Sequence, residues 1–498
     1  MRIIISMTIL IMFFAASLSG CIGDLSDENE SDENEDKYQK LQVIDIVQGE
    51  NGSSPSVLCF NLQYCSSWTF YEFQDHYYFS SGYPTEVHIF SLTNSSFWLA
   101  PEMVSSLSCA GCQSHEKSME PIYFEDRAYF FSSDSSIWMH NFSTFKSTLV
   151  DDLTELGDGY PPSTGNAKSP GKYLSLVIDD TWFFSHDSDQ FGQELWALNL
   201  ESHDLSLIID TATGTYSGSD IPMNGDPGRH FSIIHDNKLL FSSFNGNEHT
   251  LWIHDPNERD TWEVSDFNWG PHYGALGDLV QPPLIVNNVI YFSNLSALLA
   301  YNLNDNILTV VVDGLDWAGN NLFENRNGVL YFDGKPKNTI ENPNLWAHNL
   351  SNSSTFSLDE HVTSPDSNFS KWYDNTLYYS AESSDYGREM WAYNSVNLTT
   401  WIVSDINLGS NGSSPEYLGM SNNGVIYFSA DDGILGRELW AHDTKNSTTW
   451  LFSDINAGSE GSNPGKINSA LSTFESEDCL FFAAYNIEYG LELWRLIL

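Results

Sequence analysis

The sequence predicts an all-β protein: a single β-propeller of about nine four-stranded blades, or eight if one unit is degenerate. Three observations lead there. The stretch 424–464, GVIYFSADDGILGRELWAHDTKNSTTWLFSDINAGSEGSNP, returns almost verbatim at 376–415, TLYYSAESSDYGREMWAYNSVNLTTWIVSDINLGSNGSSP, 49 residues earlier. Its apolar runs, 425–430, 439–442 and 450–452, are too short for helices and rich in β-branched and aromatic residues, with turn formers between them. Successive residues of Val425-Ile426-Tyr427-Phe428 are all apolar, so both faces of that strand need cover. Stacked blades supply it and a single open sheet does not. A repeat of about 50 residues holding four strands has the length of one blade.

The repeat can be followed by the apolar pair in its second strand. The pairs are Tyr78-Phe79, Tyr129-Phe130, Phe183-Phe184, Leu240-Phe241, Tyr291-Phe292, Tyr331-Phe332, Tyr378-Tyr379, Tyr427-Phe428 and Phe481-Phe482. The chain enters the pattern in mid-unit: Val43-Ile44-Asp45-Ile46, with Gly49 and Gly52-Ser53-Ser54-Pro55 after it, matches only a last strand and its loop. It stops at Leu491-Glu492-Leu493-Trp494-Arg495-Leu496-Ile497-Leu498, one strand short of a unit. Strand 43–47 is therefore expected to complete the last blade against 491–498 and leave no free edge. No interior linker divides the repeats, so 42–498 reads as one domain.

Tyr427-Phe428-Ser429-Ala430-Asp431-Asp432-Gly433, Gly436-Arg437-Glu438-Leu439-Trp440 and Asp454-Ile455-Asn456 resemble the ELWxxDGT-repeat proteins of prokaryotic surfaces. The likeness is close in the last three units and loose elsewhere. The Asp-Gly-Thr that follows the Trp strand in that family is replaced here by Ala441-His442-Asp443-Thr444. The resemblance implies a propeller-like fold and carries no activity.

Ahead of the repeats stand Arg2, an apolar run over 3–17 and Leu18-Ser19-Gly20-Cys21. The run is short for a membrane span, and the whole resembles the prokaryotic lipoprotein signal. Residues 1–20 are expected to be a signal peptide and Cys21 the lipidated N-terminus; an ordinary signal peptide with an incidental cysteine is the alternative. Residues 21–41 carry Asp24, Asp27, Glu28, Glu30, Asp32, Glu33, Glu35 and Asp36 with few apolar residues, the composition of a disordered, self-repelling tether. The expected address is the extracellular face of the cell membrane. The chain has 67 acidic and 20 basic residues, a formal charge of −47. Nucleic acid is excluded as a partner, since phosphate binding needs clustered Lys and Arg. An acidic coat that keeps an exported protein soluble explains the charge more simply than cation binding.

Recurring polar residues have structural explanations first. Asp45, Asp210, Asp266, Asp313, Asp359, Asp405 and Asp454 end fourth strands, where a carboxylate accepts N–H bonds of the following Gly/Ser loop. Glu194, Glu389, Glu438 and Glu492, each before Leu-Trp or Met-Trp, receive the same reading. His140, His254, His348 and His442 share a third-strand position filled elsewhere by Phe90, Leu198, Tyr301 and Tyr393, which favours packing over metal. Asp187-x-Asp189-x-x-Gly192 resembles the first half of a calcium loop without its later ligands, so an acidic turn competes with a calcium site. No other cofactor is expected.

Beyond Cys21, the cysteines Cys59, Cys65, Cys109 and Cys112 are disulfide candidates in an oxidising exported setting, their connectivity open. Cys109, Cys112 and His115 hint at zinc but lack a fourth ligand. Cys479, before Leu480-Phe481-Phe482, reads as a buried free thiol. N-x-S/T triplets at Asn94, Asn141, Asn349, Asn352, Asn397 and Asn446 fall at hairpins between third and fourth strands and suggest a glycoprotein.

Neither G-x-S-x-G nor H-E-x-x-H nor a P-loop motif occurs. Loops carry the remaining signal. Inter-blade loops 47–55, 407–415 and 456–464 are compact copies, whereas 153–172, 211–229 and 267–283 are about twice as long and follow consecutive blades on one face. The long loops hold Tyr160, Tyr216, Trp269, His272 and Tyr273, amphipathic rings suited to a surface glycan or a protein ligand. The competing reading has those rings cover the blade ends. The leading expectation is a monomeric extracellular binding or interaction module, touching the membrane through its lipid anchor only. The alternative is a secreted polysaccharide hydrolase or lyase with a central acidic cleft, whose paired carboxylates would be visible only in geometry.

Overall fold

The computed structural model describes residues 41–44, most of 70–99 and of 122–153, 170–268 apart from 172, and most of 283–498. There is no α-helix among the described residues. Strands follow one another as antiparallel meanders, making nine sheets of four or five strands among the described residues. This is the blade construction of a β-propeller, as the short aromatic runs predict. The chain divides into two compact units, whose described residues are 41–99 with 416–498 in one and 122–415 in the other.

In the first unit, strand Leu41–Ile44 pairs antiparallel with Gly490–Ile497, Leu41 opposite Leu496 and Ile44 opposite Leu493. The N-terminal strand thus supplies the outer strand of the last sheet, the pairing expected from the missing half-unit. It begins at Leu41, which packs against the apolar cluster of this unit, so residue 41 belongs to the sheet and not to the acidic segment before it. Strand Val425–Asp431 shows why both faces are apolar. Tyr427 joins Leu439, Ala441, Leu480, Phe482 and Trp494 of its own and the following sheet. Ile426 and Phe428, on the opposite face, are equally buried.

The second unit repeats this stacking. Tyr129, Trp182, Phe184 and Trp196 fill one layer between successive sheets, and Phe183, Leu195, Phe241 and Trp252 the next. Leu251, Ile253, Ile290 and Tyr301 form a third, and Tyr331, Tyr379 and Tyr393 belong to a later one. Each side chain fully buried this way contributes on the order of 1.5–3 kcal/mol. The recurrent histidines belong to the same scheme. Nδ1 of His140, His254, His348 and His442 lies 2.8–3.0 Å from the hydroxyl of Ser147, Thr261, Thr355 and Thr449, each the directly opposed residue of the fourth strand. They are cross-strand packing residues. Two of the N-x-S/T triplets also shape their turns: Oδ1 of Asn397 accepts the N–H and hydroxyl of Thr399, and Asn446 does the same for Thr448.

One reading needs correction. Cys479 is not a free thiol but half of a disulfide. It is buried as expected, and it is the first residue of strand Cys479–Asn486, opposite Ile497. Cys21, Cys59, Cys65, Cys109 and Cys112 lie outside the described residues. Cys479→Ala, or reduction of the wild type, should lower stability by about 2–5 kcal/mol. Thermal melts with and without dithiothreitol check this, and equal melting temperatures would count against a stabilising disulfide.

Candidate functional site

The loops leaving the sheets are fixed by one buried carboxylate each. Glu389 stands at the head of strand Gly387–Asn394 and is fully buried. Its Oε1 accepts the N–H of Asn407 at 3.1 Å and of Ser413 at 2.8 Å, and its Oε2 accepts the Ser413 hydroxyl. Glu438 repeats this with Ile455 N–H, Asn456 N–H and the Ser462 hydroxyl. Glu194 repeats it again, with the N–H and hydroxyl of Thr211 on Oε2 and the N–H of Gly225 on Oε1, all at 2.8–2.9 Å. Each carboxylate therefore clamps the start of the loop that leaves its own sheet to a residue two to four positions before the loop's end. The second-to-third-strand hairpin comes so close to that loop that Gly387 and Gly436 have no room for a side chain. A Cβ there would lie 2.7 Å from the amide nitrogen of Gly412 or Gly461. Asp405 takes the lesser role expected of the fourth-strand acids, accepting the N–H of Gly409.

Loop 211–229 is the long loop among the described residues, and it stands on the same two points as the short ones. Glu194 grips Thr211 and Gly225, whereas Glu389 grips Asn407 and Ser413, so the extra residues rise between unchanged feet. They form a small hairpin of their own: Tyr216 N–H donates to Ile221 O, Met223 N–H donates to Gly214 O, and Thr215 bridges Pro222. Tyr216 is 43% exposed at this hairpin, its hydroxyl 3.4 Å from the amide nitrogen of Asn224. The far foot is tied to the following sheet, because Gly225 O accepts both the Phe244 N–H and the Ser243 hydroxyl.

At that foot, residues from three segments meet. Arg229 pairs with Asp226 at 2.7 Å and lies over the Tyr173 ring at 5.8 Å. Beside it the imidazoles of His230 and His249 cross edge to face with centroids 4.5 Å apart. Burial, with the charges of His249 and Arg229 adding to it, pushes His230 down to about 3, and burial lowers His249 against the pull of Asp226. Both are neutral at ordinary pH, so the ledge presents one ion pair among rings. Chemically it suits recognition of a polar, ring-bearing ligand.

Of the residues singled out from the sequence, Tyr216 is exposed on the described long loop. Tyr160, Trp269, His272 and Tyr273 lie outside the described residues. Asp187 is a strand residue opposite Gln193, the position where the later repeat pairs Glu382 with Arg388 at 3.9 Å. The Ser188 hydroxyl accepts the Phe191 N–H in its turn, as Ser383 does for Tyr386, so this loop follows the hairpin pattern of its repeats. Asp189 is exposed at the tip. No group of three or more His, Cys, Asp or Glu among the described residues could hold a metal ion. Sequence reading treated the Glu before Leu-Trp as a loop acceptor but missed its two-ended grip, whose signal was a Ser or Gly closing the loop. It missed the Asp226, Arg229, His230, His249 ledge entirely, since no spacing links its members.

No protein-family model matches the chain, and no curated protein matches it. Among solved structures it is similar to an oligogalacturonate lyase in complex with manganese, at 9% identity over 85% of this chain and 86% of that one, with a TM-score of 0.33. It is similar to dipeptidyl peptidase 4 of Porphyromonas gingivalis at 10% identity, 72% and 54% coverage and TM-score 0.41. A third is BamB of Moraxella catarrhalis, at 12% identity, 76% and 96% coverage and TM-score 0.38. Likenesses at this level transfer no chemistry to this chain.

The buried groups fix how stability depends on pH. Burial pushes Glu194 up to about 8 against the pull of its Thr211 and Gly225 donors, and the carboxyls of Glu389 and Glu438 are raised for the same reason. Raised acids hold more protons folded than unfolded, so their contribution is complete below about 4.5 and is lost as pH rises, for Glu194 as it climbs towards 8. His186 and His442, lowered by burial to about 4, act oppositely: their contribution is complete above about 6.5 and is lost as pH falls towards 4. Melting temperature should therefore peak between these limbs. Glu194→Gln should flatten the alkaline limb alone, whereas Glu438→Ala should cost at least ~2 kcal/mol at any pH by stranding buried donors. Melts from pH 4 to about 9 separate the two effects.

Proposed function

We propose that the protein is a lipid-anchored extracellular binding module, its ligand-facing surface built from loops 153–172, 211–229 and 267–283. The observation that carries this reading is the construction of 211–229. It keeps the Glu194 clamp of a compact loop and adds an ordered hairpin that places Tyr216 in solvent. Packing of the sheets does not need those added residues, because the compact loops join sheets without them. Beneath them the Arg229, Asp226, Tyr173 and His230 ledge offers polar groups among rings, the composition of a site for a sugar or a polar side chain. The lipoprotein-type signal, the acidic segment 21–41 and the resemblance to ELWxxDGT-repeat surface proteins support the address. The alternative, a secreted polysaccharide hydrolase or lyase, calls for two carboxyl groups facing one pocket, whereas the ion pair and rings of the ledge support binding.

Capture of glycans and surface proteins by the purified chain, with and without calcium, tests the proposal. Tyr216→Ala, and Trp269→Ala with Tyr273→Ala, should each weaken capture about tenfold or more while leaving the melting temperature nearly unchanged. Variants that bind normally would return these loops to a structural role. Asp187→Asn with Asp189→Asn tests the calcium alternative: a calcium-induced rise in melting temperature that this double variant abolishes would establish the site, and the acidic-turn reading expects no rise.

A further inference from the structure

The outer strand Ile307–Asp313 exposes four successive residues, where Lys146–Asp152 exposes two together, Thr148 and Leu149. Ile307 is 53%, Leu308 40% and Val310 60% exposed, and Thr309 between them is exposed as well. The outer strands Leu205–Ile209, Ser354–Ser357, Thr399–Ser404 and Thr448–Ser453 are equally uncharged, yet none exposes two neighbouring residues. Register explains the difference. Thr309 lies opposite Ala300, the position where other sheets set Trp262, Phe356, Trp401 and Trp450 on the outer strand. Val310 lies opposite Leu299, where those same sheets place Trp252, Trp346, Trp391 and Trp440 on the third strand. Here Thr309 and Leu299 stand in place of the ring and the indole, as Thr148 and Ser206 stand in place of the ring in two further sheets. Edges of this kind are normally guarded by Lys, Pro or a bulge. Here the first six residues, Ile-Leu-Thr-Val-Val-Val, contain neither Lys nor Pro, and their one guard is the bulge at Val311 that neighbouring sheets share.

Charge selects the occupant. Residues 260–325 contain no Lys or Arg, while Asp305 and Asp313 bracket the strand and Asp316 follows. A second copy laid antiparallel about Thr309 would set Asp305 against Asp313 twice, on chains that each carry a formal charge of −47. We infer that this edge binds an extended cationic polypeptide segment, which adds to the sheet as a further strand. Alternate apolar side chains of that segment would cover Ile307–Val310, and flanking Lys or Arg would meet Asp305 and Asp313. The inference is independent of the loop proposal, since the loop variants Tyr216→Ala and Trp269→Ala leave this edge unchanged.

The test uses the full chain in mild detergent and a fluorescent synthetic peptide of alternating Val and Thr with two lysines at each end. Its twin carries glutamates in place of the lysines. The lysine peptide should bind in the micromolar range, weaken with added salt, and outbind its twin at least tenfold. Val310→Lys, which guards the edge, and Thr309→Trp, which restores the shielding ring without adding charge, should each weaken binding at least tenfold with an unchanged melting temperature. Asp305→Asn with Asp313→Asn should do so with less effect at high salt. No binding, equal binding of the two peptides, or indifference to both Val310→Lys and Thr309→Trp would overturn the inference. So would sedimentation showing that the free chain self-associates through an edge that Val310→Lys abolishes, because the occupant would then be a second copy.

Discussion

A carboxylate buried at the head of a third strand governs how the chain passes from one sheet to the next. Glu194, Glu389 and Glu438 are each fully buried. An unsatisfied buried carboxylate would cost several kcal/mol, so the loop must return to it with N–H and hydroxyl donors at both ends. That requirement, more than any preference of the loop residues, sets where each loop leaves and where the next strand begins. Close docking of Gly387 and Gly436 against the loop follows from it, because the two ends can reach one carboxylate only if hairpin and loop touch. The sheets then stack with their aromatic faces in register.

The hydroxyls at these clamps let the network tolerate either protonation state. Around Glu194 the Thr211 hydroxyl lies 2.9 Å from the carboxylate and 2.7 Å from the Ser243 hydroxyl, which in turn lies 2.8 Å from Gly225 O. With Glu194 ionised, Thr211 donates to it and accepts from Ser243, while Gly225 O keeps the Phe244 N–H. With Glu194 protonated, the whole chain of hydroxyls reverses: carboxyl to Thr211, Thr211 to Ser243, Ser243 to Gly225 O. No heavy atom has to move. A raised acid at this position is thus compatible with a fixed loop, and its titration changes stability without reshaping the surface above it.

The sequence discloses what repetition writes and conceals what one copy holds. Tyr427-Phe428 and its equivalents announce strands covered on both faces, and the half-units at the two ends announce the pairing of Leu41–Ile44 with Gly490–Ile497. The first follows from a continuous apolar run and the second from comparing the chain ends with a whole unit. The Glu before Leu-Trp was visible as a recurrent acceptor, yet its partners lie 17 to 31 residues away in Glu194's case, beyond any local pattern. The ledge of Asp226, Arg229, His230 and His249 occurs in a single unit and joins strand ends to a loop foot, so nothing periodic marks it. Cys479 misled because oxidation depends on where a strand begins in space, and its flanking residues report only the apolar run.

In a repeat architecture each unit has the same packing problem, so residues that obey the pattern are accounted for by packing alone. Departures that keep the frame intact are the informative ones. Loop 211–229 inserts a hairpin between feet identical to those of a compact loop, which means the frame neither needs nor resists the addition. Strand Ile307–Asp313 preserves its pairing with Ala297–Asn302, including the register shift its neighbours share, while giving up the rings that cover their edges. Exposed apolar surface on an edge weakens solubility and invites association, so retaining it runs against the strongly acidic, solubilising character of the rest of the chain. Both departures cost the fold little and turn otherwise generic surface towards a partner, one through aromatic and polar groups on a raised loop, the other through backbone and apolar side chains beneath acids.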